Sequence, residues 1–146
     1  KGHVPEKMYT VPLGQGVVRR RGTDVTVVAV SHLVMDAYFV AEEMAQQGVE
    51  VELIDPRTLR PLDSEIILNS VAKTGRLVIA DSGWKTGGVT AEIGALVAEQ
   101  AFPHLKAPIK RVACPDLPTP SGHTLEEAFY IGKEDIRRGI QEVLQF

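Results

Sequence analysis

GVEVELIDPRTLRPLD, Gly48 to Asp63, is an alternating apolar run that stops at Asp55-Pro56 and then passes two further turn signals. It reads as a strand, Val49 to Ile54, emptying into a structured loop, and in α/β proteins the loops at strand ends carry the function. Upstream, DVTVVAV (Asp24 to Val30) is Val-rich enough for a central strand covered on both faces. Ser31 then stands where a helix N-cap is expected. Leu33, Ala37, Val40, Ala41 and Met44 follow at helical spacing, and Gly48 stops the helix.

Downstream the alternation continues. Asp63 is placed to cap a short helix that buries Ile66, Ile67 and Val71, and RLVIAD (Arg76 to Asp81) is the next strand. Gly87-Gly88 opens a long helix burying Val89, Ile93, Leu96 and Val97, which Pro103 ends beyond Phe102. Ala107 to Cys114 is the last strand. A Pro-rich passage (Pro115, Pro118, Pro120) crosses the surface, and Glu134 to Leu144 closes the chain as a helix with Ile136, Ile140, Val143 and Leu144 on one face. Strands alternating with helices predict a mostly parallel sheet covered on both faces. Gly16 to Gly22 reads as a short edge strand, and its closeness to Asp24 suggests a tight antiparallel reversal onto the Asp24 to Val30 strand. Residues 1–15, with Gly2, Pro5, Pro12 and Gly14, read as a linker entering a domain that spans 16–146.

Composition bounds the rest. A chain of 146 residues fits one domain, and a domain of that size buries roughly two thirds of its unfolded surface. A net charge of −3 provides no basic field for a nucleic-acid backbone, which excludes that partner. The lone Cys114 has no internal disulfide partner, and no apolar run approaches the ~20 residues that span a bilayer. A membrane is excluded as a partner, and a cytoplasmic or mitochondrial-matrix setting is expected. The sequence opens at Lys1 with no initiator Met, as a piece of a longer enzyme would.

Candidate chemistry is sparse. Gly83, Gly87 and Gly88 before a helix are compatible with an anion cradle, with Lys85 and Thr86 close by, or with a turn that packs helix tightly on strand. The spacing matches no phosphate-binding glycine pattern, which favours packing. Arg57 and Arg60, on a loop stiffened by Pro56 and Pro61, suit a subunit seam or the two-pronged grip of a carboxylate or phosphate. His3, His32, His104 and His123 are scattered outside any metal-ligand spacing. Cys114 at a strand end reads as a buried small apolar residue, and Ser31 and Ser121 lack a nucleophile elbow. His32 with Asp36, beside the carboxyl end of a strand, suit a ligand contact or solvated charge, and Glu126 with Glu127 an acid–base role or surface charge, the solvated reading being favoured for both. Phe146 joins an aromatic ring to the chain-end carboxylate, which suits either anchoring a partner or packing on its own domain. No catalytic, cofactor-binding or metal-binding residue is assigned.

Five ordered blocks carry a resemblance: PLGQGVVRRRGTDVTVVAVSHLV, VELIDPRTLRPLD, SVAKTGRLVIAD, GGVTAEIGALVAEQAF and APIKRVACPDLPTP. Together they resemble the C-terminal domain of transketolase-like thiamine diphosphate enzymes, especially the beta subunit of the decarboxylating component of 2-oxo acid dehydrogenases acting on pyruvate, branched-chain substrates or acetoin. The resemblance implies a three-layer α/β/α sandwich on a five-stranded, mostly parallel sheet with one antiparallel strand. It implies a missing N-terminal pyrimidine-binding domain, and a parent oxidoreductase that binds thiamine diphosphate and Mg²⁺ through a GDG motif and a Glu elsewhere; this chain has no GDG. The domain is then an inactive support that binds no cofactor. Its implied partners are the rest of its own subunit, an alpha subunit, a second beta subunit in an α2β2 assembly, and the acyltransferase core. The interface candidates are Arg57, Arg60, Gly87, Gly88 and Phe146. Two rivals stand beside this reading: the corresponding domain of a transketolase or deoxyxylulose phosphate synthase, and an independent small-anion or nucleotide-binding module built on the Gly83 to Gly88 turn.

Overall fold

A computed structural model describes residues 4–146, so Gly2 and His3 lie outside the described residues. Five strands, β1 (Val17–Arg20), β2 (Val25–Ala29), β3 (Val51–Asp55), β4 (Leu77–Trp84) and β5 (Lys110–Cys114), form one sheet in the order β1-β3-β2-β4-β5. β2 lies at its centre, and every residue of its VTVVA stretch is buried. A run of β-branched residues with no polar alternation suits this position because both of its faces meet helices.

Helices α1 (Leu33–Ala45) and α5 (Lys133–Leu144) cover one face, where Leu33, Val40, Ile136 and Ile140 pack on Val27, Leu53 and Val78. Helices α2 (Ser64–Thr74) and α3 (Val89–Gln100) cover the other, where Ile67, Val71, Ile93 and Val97 pack on Val28, Ile54 and Ile79. The result is the expected three-layer sandwich. Each fully buried Leu or Ile contributes about 1.5–3 kcal/mol of transfer free energy, so these two clusters dominate stability. Under the second face, the hydroxyl of Thr26 lies 2.7 Å from Ser70 Oγ and 2.8 Å from Thr74 Oγ1, so all three buried hydroxyls are paired.

The helix signals behave as the sequence predicts at two places. Asp63 caps α2 by accepting the Ile66 N–H at 3.3 Å, and Gly48 adopts φ 80° just past α1. Four expectations are corrected. First, β1 pairs antiparallel with β3, in the register Val17 with Asp55 and Val18 with Ile54, and not with β2. Both edges of β2 are already taken by parallel β3 and β4. Gly22 lets the chain cross there: a Cβ on it would stand 2.2 Å from the Val51 carbonyl carbon. Second, Ser31 is not a cap; it sits at φ 59°, and His32 takes the N-cap position without a side-chain hydrogen bond. Third, β4 runs on to Trp84, so Gly83 belongs to a strand extension and not to the turn before α3. Fourth, the passage after β5 contains a short helix, α4 (His123–Phe129), hidden from the sequence reading by the prolines before it.

Candidate functional site

The chain leaves β2 towards the α1 face and leaves β3 towards the α2 face, so a crevice opens between their carboxyl ends. Two residues in the left-handed region line it, one at each strand exit: Ser31 and Arg57, both at φ 59°. Neither is Gly, Asn or Asp, so each position costs of order 1–3 kcal/mol that the surrounding structure supplies. Arg57 is held there by its own N–H, which donates to Asp55 Oδ1 at 2.9 Å. Behind it the loop is cross-braced. Thr58 Oγ1 donates to the Pro61 carbonyl and accepts the Gly14 N–H, each at 2.9 Å, and Asp63 Oδ2 accepts the Gly16 N–H at 2.9 Å.

A third group reaches the crevice from β1. The β1/β3 register slips between Val18 and Arg20, which makes Arg19 the extra residue of a bulge. Bulges re-aim side chains, and here Arg19 turns onto Asp55, with Nη2 at 2.7 Å and Nε at 3.1 Å from Oδ2. Tyr9, Val11 and Pro5, ahead of β1, complete a cleft of about 700 Å³. Arg57 lines this cleft and is exposed; no hydrogen bond or ion pair to its guanidinium occurs among the described residues.

The glycine turn has a different character. Gly88 is the N-cap of α3, and a Cβ on it would meet the Trp84 carbonyl oxygen at 2.1 Å; Gly87 has φ 69° and open space around it. Asp116 takes the Thr86 N–H at 3.0 Å and the Thr86 hydroxyl at 2.6 Å. These two bonds, with help from Lys85 and Arg111, hold the Asp116 carboxyl below its usual range. The turn is therefore tied to the β5–α4 loop by the protein's own carboxylate, and tight packing accounts for Gly88. Trp84 and Leu117 remain exposed beside it. The Thr90 hydroxyl, in the first turn of α3, is fully buried and has no partner among the described residues.

The interface candidates do not converge. Arg57 and Arg60 follow β3, while Gly87 and Gly88 follow β4, on the far side of β2. Phe146 stands at the opposite, amino-terminal end of the parallel strands, past the end of α5, where Arg76, just before β4, donates from Nε to the Val143 carbonyl at 3.0 Å. Its ring is 71% exposed and is not packed into its own domain. His123 pairs with Glu127 at 3.6 Å in solvent, Glu126 shares that short helix, and Cys114 is buried. Arg19 and Tyr9 were invisible as site residues, because only the β1/β3 register and its bulge bring Arg19 to Asp55.

Among the described residues, no cluster of three or more His, Cys, Asp or Glu is placed to hold a metal ion, and no helix is long and apolar enough to cross a membrane. A magnesium-bound diphosphate needs converging oxygen ligands, and the residues present do not fit one.

Comparison with known proteins agrees with this architecture. Residues 14–136 match the family model described as Transketolase, C-terminal domain. The chain is 41% identical over 140 residues to a mitochondrial pyruvate dehydrogenase E1 component subunit beta from Dictyostelium discoideum, covering 96% of this chain and 39% of that protein. It is 43% identical over 129 residues to an acetoin:2,6-dichlorophenolindophenol oxidoreductase subunit beta from Bacillus subtilis (strain 168), covering 88% and 38%. It is 34% identical over 147 residues to the 2-oxoisovalerate dehydrogenase subunit beta of the same organism, covering 100% and 45%. The chain thus spans less than half the length of these curated relatives. A solved split-gene transketolase, in an inactive beta4 tetramer, shares the fold with a TM-score of 0.77 at 24% identity, covering 98% of this chain and 45% of that one. With 123 of 146 residues inside the family match, this chain belongs to the transketolase C-terminal domain family.

Proposed function

We propose that this chain is the C-terminal domain of a beta subunit of a 2-oxo acid dehydrogenase decarboxylating component, and that its work is assembly. The single observation behind the proposal is that relatives named as beta subunits match nearly the whole chain. On this reading, residues 1–15 lead in from an N-terminal domain. Thiamine diphosphate and Mg²⁺ are held outside this chain, and decarboxylation and transfer to a lipoyl group take place there. Arg57 and Arg60 past β3, the Gly87-Gly88 corner with Trp84, and Phe146 at the amino-terminal end of the parallel strands serve separate contacts. That separation suits a domain touching an alpha subunit, a second beta subunit and the acyltransferase core at different places. The compartment is that of the parent complex, cytoplasm or mitochondrial matrix.

The test is assembly of the complete subunit with its alpha partner, followed by sedimentation. Removing residues 16–146 is expected to abolish a heterotetramer, and Phe146→Ala is expected to leave the heterotetramer intact while weakening capture of the acyltransferase core. A truncated subunit that still assembles and turns over its 2-oxo acid would overturn the proposal.

A further inference from the structure

The β2/β3 cleft has more in it than a seam requires. Its two strand exits are each held in a left-handed conformation, at Ser31 and Arg57. A bulge aims Arg19 into the same space, and its charge is met by Asp55 alone among the described residues. Arg57 adds a second guanidinium with no opposing carboxylate among the described residues, so Arg19, Asp55 and Arg57 leave one net positive charge at the carboxyl edge of the sheet. Asp55 cannot neutralise both arginines: one oxygen is occupied by Arg19 and the other by the Arg57 N–H. A planar guanidinium presents parallel donors that match a carboxylate or phosphate, and a concave wall concentrates its field.

We infer that this cleft is an oxyanion site, in which Arg57 supplies the free guanidinium, Ser31 a hydroxyl, and the Arg19–Asp55 pair the fixed wall. The occupant's chemistry is a carboxylate or phosphate group. It comes either from a free small molecule or from an acidic side chain of a neighbouring protein segment. The site goes beyond the assembly reading and does not need it, since it is a property of this chain alone.

The test is a titration of the ¹⁵N-labelled chain, followed by NMR, with inorganic phosphate and separately with acetate, against sodium chloride at matched ionic strength. Saturable shifts of the Ser31 and Arg57 amides are expected for the oxyanions and not for chloride. Arg57→Gln should weaken binding at least tenfold and Arg57→Lys by less, while Arg21→Gln, an exposed cation outside the cleft, should leave it unchanged. Phosphate at least tenfold tighter than acetate supports the site and points to a free phosphate-bearing ligand. Equal affinities support it and point to a protein carboxylate. Shifts that grow linearly without saturation, or binding that Arg57→Gln leaves intact in a folded chain, overturn it. Because no partner is present, a negative result here leaves the assembly proposal standing, and a failure to assemble leaves this site standing.

Discussion

Gly88 and Trp84 are in backbone contact: a Cβ on Gly88 would lie 2.1 Å from the Trp84 carbonyl oxygen. Only backbone movement relieves such an overlap, so Gly88→Ala is expected to destabilise the domain by about 3 kcal/mol, the upper end of ordinary overpacking. Gly87 faces open space at φ 69°, and Gly87→Ala should cost only the left-handed strain of about 1 kcal/mol. Urea unfolding of both variants checks this. Equal losses would return the glycine turn to an undecided role.

The buried hydroxyls of Thr26, Ser70 and Thr74 form a second testable unit. Thr26→Val removes the shared partner and should cost about 2 kcal/mol, the net worth of the two hydrogen bonds lost, while Thr74 still donates to the Arg76 carbonyl. Combining it with Thr74→Val should cost less than the sum of the single changes, since both substitutions remove the same Thr26–Thr74 bond. Additive losses would show that the three hydroxyls act separately.

Glu52 gives the domain a pH dependence. Burial to 4% exposure pushes its pKa up, but hydrogen bonds from Lys73, Ser70 and the Gly22 N–H outweigh this and hold it below its ordinary value. A carboxyl with a folded pKa below its unfolded one adds stability at pH above the unfolded value, and that stability is lost as pH falls through the folded value. The wild-type chain should therefore lose stability below the usual carboxylate range more steeply than Glu52→Gln. Parallel profiles in acid unfolding would contradict the assignment.

Much of this was readable in advance because local patterns carried it. The Val run of β2 announced a doubly covered strand, and Asp63 and Gly48 announced helix ends, since caps depend on residues a few positions away. What stayed hidden depends on where distant segments meet. The partner of β1 is set by the crossing at Gly22 and by the full occupancy of β2, neither of which shows in the VVRR pattern. Arg19 becomes a site residue only through a bulge, and Ser31 looked like a cap because αL geometry leaves no mark in a Ser-His-Leu sequence. The helix α4 was concealed by the prolines ahead of it, although Leu125 and Phe129 at i, i+4 were its signal.

Trp84 is the only tryptophan of the chain and is 58% exposed, so its emission reports on the surface beside α3. If that surface is an assembly contact, mixing the complete beta subunit with its alpha partner should shift the Trp84 signal to the blue, read as the difference from a Trp84→Phe subunit. An unchanged difference spectrum in a formed complex would remove Trp84 and the Gly87-Gly88 corner from the interface.

The central claim is that this domain supports an enzyme whose chemistry is performed elsewhere. Titration calorimetry of the chain with thiamine diphosphate and Mg²⁺, paired with a pyruvate decarboxylation assay, meets that claim head on. For the Arg57→Gln chain, in which the oxyanion cleft is disabled, no saturable heat and no turnover are expected; micromolar cofactor binding by that variant, or consumption of pyruvate by these 146 residues alone, would contradict the claim.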